Sequence, residues 1–112
     1  MGYESRLYIL DKKKQVCFEE VIASFNLSCV ENPTFYQLFS TPISSNICVN
    51  GEFVTTDSYK DPIKWARIDD VVNWLETEGR KMDYRRIEPA IALLKGFNPD
   101  EWDELRVAHY GY

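Results

Sequence analysis

At 112 residues, with 45% hydrophobic and 28% charged residues, the chain has the length of one domain and the composition of a folded one, which excludes two independent cores and disorder along its whole length. The formal charge of −5 argues against a sequence-independent nucleic-acid binder, because that binding is driven by Lys and Arg displacing counterions from phosphates. Aromatic residues make up 14%, ample apolar area for a small core, and any ring left outside becomes a contact surface.

Arg6 to Leu10 reads as a strand with apolar residues on both faces, Leu7 and Ile9 on one and Tyr8 and Leu10 on the other, so it is expected to be covered on both sides. Lys12, Lys13 and Lys14 form the turn after it. In the stretch from Cys17 to Val30, Phe18, Val21, Ile22 and Phe25 fit helical spacing, while Val21, Ala23, Phe25 and Leu27 fit strand alternation. The β-branched and aromatic content and the ease of closing a hairpin with the first strand favour a strand. Glu31 to Ser45 carries Pro33 and Pro42 and reads as a connection, with a helical turn at Phe35 to Phe39. Asn50-Gly51 between Ile47–Val49 and Phe53–Thr56 is the clearest hairpin turn, since both residues tolerate positive φ, and Ile63 to Ala66 is extended.

Ile68, Val71, Val72 and Leu75 recur at helical spacing, Asp69 and Asp70 sit at the positive end of the dipole, and Gly79 is read as the stop. A second helix is expected from Pro89, with Ile91 and Leu94 inward, Ile87 extending the stripe and Gly96 ending it. Asn98-Pro99-Asp100-Glu101 opens a short third helix anchored by Trp102. A final strand alternates Leu105, Val107 and His109 against Arg106, Ala108 and Tyr110. The sum is an α+β domain over residues 1–112: a mainly antiparallel sheet of about five strands with two or three helices on one face.

Chemistry is sparse in this pattern. With one histidine, His109, and three cysteines lacking C-x-x-C spacing, no metal set or Cys-His nucleophile is indicated, and the five glycines stand alone, so no phosphate loop is formed. The expectation is a protein that is not an enzyme, uses no cofactor or metal, and keeps Cys17, Cys29 and Cys48 reduced as small apolar residues. No apolar run reaches the roughly 20 residues of a membrane span, and neither a signal peptide nor a myristoylation motif is read at the start. Two charge groupings remain. Asp100, Glu101, Asp103 and Glu104 around Trp102, with Asp69, Asp70, Glu76 and Glu78, can build an acidic surface that mimics the charge of a nucleic acid. Arg80, Lys81, Arg85 and Arg86 beside Tyr84 form a basic group, of which Arg80, Tyr84, Arg85 and Arg86 offer guanidinium forks and a ring to clamp a nucleotide. For each, the plain alternative is a solvated face whose charges cap helices and balance one another.

The segments SRLYILDK, EEVIASFNLS, LLKGFNPDEW and the closing HYGY resemble a group of small proteins encoded by bacteriophages and prophages of Gram-positive bacteria. None of these segments is a motif with known chemistry, so no residue role carries over. The resemblance implies a context, the host cytoplasm, and a class: a non-enzymatic, anti-CRISPR-like inhibitor that binds a host defence or nucleic-acid-handling complex through that complex's basic surface. A binder that sequesters a nucleotide signal and a phage assembly accessory protein are the competing expectations, and the aromatic surplus permits a homodimer.

Overall fold

The computed structural model describes residues 3–11, 19–82 and 84–112. Strand β1 (Ser5–Asp11) pairs antiparallel with β2 (Glu20–Ser28) on one side and with β7 (Leu105–Gly111) on the other. Beyond β7 lie β6 (Lys64–Arg67) and the two-residue β3 (Thr41–Pro42), giving the order β2-β1-β7-β6-β3. The Asn50-Gly51 hairpin, β4 (Ile47–Val49) and β5 (Glu52–Val54), is a separate two-stranded sheet. The α+β class and the antiparallel sheet match the reading of the sequence, and β6 falls on the extended stretch expected at Ile63 to Ala66, but the membership of the sheet differs. The hairpin turns away to cover a face of the main sheet, and β3 and β6 complete the ladder in its place.

Alternation along the strands makes this three layers. Leu7, Ile9 and Val107 face the helices, α1 (Pro33–Tyr36), α2 (Ile68–Trp74) and α3 (Ile87–Lys95), and are buried with Phe35, Ile68, Leu75 and Leu94. Tyr8, Leu10 and Ala108 face the other way and are buried by Ile47 and Val49 of the hairpin and by Ile63. The doubly apolar pattern of β1 is thereby accounted for. It also explains Cys48, which alternates with Ile47 and Val49 and so lies outside; Cys29 is exposed too, contrary to the apolar role expected of both, and Cys17 lies outside the described residues, as do Phe18 and the Lys12–Lys14 turn.

The hairpin turn has Asn50 at φ 51° and Gly51 at φ 83°, the left-handed pair such a turn requires. Replacing Gly51 by Ala is expected to cost about 1 kcal/mol in urea denaturation, because open space surrounds the missing Cβ and only the backbone resists.

Gly79 does not end its helix. Past Trp74 the chain widens to a π-helical turn, Leu75–Gly79, and remains helical through residues 80–81. Gly79 is buried, and an added Cβ would sit 3.3 Å from Ile87 Cγ2, so the glycine serves close packing of α3 on this helix. Helix α3 starts at Ile87, two residues before Pro89, which then occupies a first-turn position whose N–H has no helical partner to lose. The 3₁₀ helix Pro99–Glu104 follows the sequence closely: the Asn98 side chain accepts from the Asp100 amide at 3.0 Å, and Trp102 Nε1 donates to Phe97 O at 3.0 Å.

At the sheet's border, β2 slips register against β1 twice. Arg6 pairs with Asn26 next to the Ser5–Ser28 pair, leaving Leu27 extra, and Leu10 pairs with Val21 next to the Ile9–Ala23 pair, leaving Ile22 extra.

Candidate functional site

Arg67 closes β6 immediately before α2, and its guanidinium reaches two acidic segments at once: Nε lies 3.1 Å from Asp69 Oδ1 and Nη2 lies 2.9 Å from Asp103 Oδ1. This fork ties the start of α2 to the 3₁₀ helix, separated by some thirty residues of chain, through Asp69 and Asp103; Asp70, Asp100 and Glu101 are exposed on the same two segments, and Glu104 is half-buried. The Arg67 hydrogen bond holds the Asp69 carboxyl below the usual carboxylate range. Glu76 belongs elsewhere electrostatically. It lies 2.5 Å from Lys95 Nζ and 4.0 Å from Arg80 Nη1, so its charge is matched by the protein's own cations.

Of the four residues of the basic clamp, three have their polar groups turned to structural tasks. Arg80 makes a bidentate contact with Glu88 at 2.9 and 3.1 Å, Arg86 Nη1 donates to Asn26 O at 2.7 Å, and the Tyr84 hydroxyl donates to Leu27 O; Arg85 is exposed. Tyr84 and Arg86 thus stitch the α2–α3 connection to the end of β2. Tyr84 also lines a broad depression of about 640 Å³ with Ser28, Cys29, Glu31, Asn32 and Met82, and Arg80, Arg85 and Arg86 are not among its walls.

A cluster that sequence patterning did not assemble lies towards the other end of β7. His109 is buried on the helix side of the sheet, where its Nε2 is 2.8 Å from the hydroxyl of Ser5 on the neighbouring strand. Ser5 is fully buried, so the pair resembles a nucleophile and base in type while its hydroxyl is out of reach of a substrate in solution. Burial pushes the imidazole down to about 4, so it is neutral at pH 7. Around it stand Phe39 at 5.2 Å, Tyr36 at 5.4 Å, Tyr3 at 5.9 Å and Phe35 at 6.0 Å between ring centroids. Tyr3, Tyr36, Phe39 and His109 border a cleft of about 240 Å³ whose remaining wall includes Asp57, Asp61 and Lys64. These rings come from positions far apart in the chain. The one available signal was the solitary histidine on a strand whose neighbours are apolar.

Among the described residues no group of three His, Cys, Asp or Glu side chains is placed to hold a metal ion, and no helix is long and apolar enough to cross a membrane. Comparison with protein-family models, curated proteins and solved structures finds no match.

Proposed function

We propose that the protein is a non-enzymatic inhibitor that docks its Arg67-centred acidic face onto the basic, nucleic-acid-handling surface of a host defence complex of the CRISPR-effector kind. The observation that carries this reading is the fork itself, which aligns acids from two distant segments while neutralising only part of their charge. Carboxylates fixed in this way compete with phosphates for Lys and Arg and steer encounter at long range. The resemblance of four segments to small phage proteins supports the choice of partner. The nucleotide-binding reading has less behind it, since Arg80 and Arg86 are engaged within the fold.

The test is a plasmid-interference assay in a bacterium carrying a programmed CRISPR effector. Expression of the protein is expected to restore transformation by the targeted plasmid. Replacing Asp100, Glu101, Asp103 and Glu104 together by Ala should weaken effector binding by roughly thirtyfold, about 2 kcal/mol spread over four surface pairs of up to ~1 kcal/mol each. Glu31→Ala with Glu52→Ala, away from this face, should leave binding unchanged. Full protection by the fourfold variant, with its circular dichroism intact, refutes the docking surface.

A further inference from the structure

The cleft beside His109 has a definite electrostatic character. Asp57 is buried, and its carboxylate is fixed by three backbone amides: Oδ1 accepts from Tyr59 at 2.9 Å and Asp61 at 3.1 Å, and Oδ2 accepts from Gly111 at 3.3 Å. Those bonds hold the 57–61 loop against the end of β7 and set the carboxylate at the cleft wall. Asp61 and Lys64 are exposed at its rim. The imidazole is neutral, and the Tyr3 phenol, pushed up to about 12 by burial and then by Asp57, is neutral as well. Two carboxylates therefore face one ammonium, against a lining of aromatic rings whose π-faces carry partial negative charge.

Tyr3 forms one side of this lining. Its ring packs at 5.8 Å from Tyr36 and 5.0 Å from Tyr59, and it lies directly on Gly111, where an added Cβ would fall inside the phenol. Glycine at this position lets the ring lie flat over the strand end and close one side of the cleft.

From the juxtaposition of the Tyr3, Tyr36, Phe39 and His109 rings with Asp57 and Asp61, we infer that this cleft binds a compact organic cation, a quaternary ammonium or guanidinium head group. Rings offer such a cation their faces without demanding the directed hydrogen bonds of a small metal ion, and the carboxylates supply the opposite charge. Size sets the class of ligand: about 240 Å³ is below the roughly 300–1,000 Å³ of pockets that enclose a whole drug-sized molecule, so a head group enters and its substituent stays outside. The source is either a free quaternary amine or the arginine side chain of a partner protein. The inference does not depend on the acidic face, which lies towards the opposite end of β7.

The test is an NMR titration of the full chain at constant ionic strength, following the rings of Tyr3, Tyr36 and His109 and the amide of Gly111. Tetramethylammonium and N-acetylarginine amide are the cationic probes, and tert-butanol is the neutral probe of similar shape. Saturable shifts at these residues are expected with a cation and not with tert-butanol; a stronger response to tetramethylammonium identifies the free amine, and a stronger response to the arginine derivative identifies the partner side chain. Two exposed rim positions give effects of opposite sign. Asp61→Asn should weaken binding about threefold, and Lys64→Gln should strengthen it about threefold. Equal response to tert-butanol, no saturation with either cation, or weaker binding by Lys64→Gln overturns the inference.

Discussion

Between pH 7.5 and pH 4 the protein is expected to lose about 3 kcal/mol of stability through His109 alone. Burial lowers the folded-state value from 6.5 to about 4, so between those two limits the unfolded chain binds a proton that the folded one does not. The sign follows: the contribution is fully present above about 6.5 and is lost as pH falls through about 4. Set against a typical total of 5–15 kcal/mol, the loss is large. Urea denaturation at pH 7.5, 5.5 and 4 checks it, with His109→Gln as the comparison. Asp69 and Glu88, held low by Arg67 and Arg80, lose their contributions further down in both proteins. Glu19, raised by burial despite its 3.0 Å contact with Arg106, gains stability on protonation in both. The difference between the two proteins therefore isolates the histidine, and parallel decline of both would show that its ring is hydrated in the folded state.

Phe35→Ala is the substitution expected to cost most, about 3–5 kcal/mol. Helix α1 has one turn and no intrinsic stability at that length, so it depends on the residue it buries. Phe35 is fully buried and packs against Trp74 at 5.0 Å, Phe39 at 5.2 Å and Tyr36 at 5.4 Å. Removing it leaves a cavity beneath α1 and frees Tyr36 and Phe39, two walls of the cleft. Denaturation should show the loss, and Phe35→Leu, which keeps most of the volume, should restore most of it. A cost under about 1 kcal/mol for the alanine variant would mean that α1 is held chiefly by its other ties, the Asn32 cap and the 2.9 Å Trp74–Thr34 hydrogen bond.

What the amino-acid pattern revealed, and what it hid, divides along the range of the interactions. The two-faced β1, the Asn50-Gly51 turn and the Asn98-Pro99 helix start are dictated by neighbouring residues and were readable. β3 and β6 were not read as partners, because Thr41–Trp65 and Trp65–Ala108 pairing is set by distant segments and Thr41–Pro42 carries no strand signal of its own. Gly79 was misread because a helix stop and a close helix contact both call for glycine, and only the position of Ile87 separates them. The acidic residues were visible as two runs, while their union depends on Arg67, a residue that no motif singled out. The aromatic cleft was invisible for the same reason: Tyr3, Tyr36, Phe39 and His109 each look like ordinary core or terminal residues until the sheet closes.

The slipped border of β2 decides how these molecules can meet. An incoming chain laid along it would lose step at Ile22 and again at Leu27, and the opposite border offers two residues, one of them a proline without an N–H to share. Growth of a continuous ladder from copy to copy is thereby disfavoured at both flanks of the five-stranded sheet. At those two borders recognition of a neighbour is left to side chains, where charge and shape can discriminate and a bare main chain cannot.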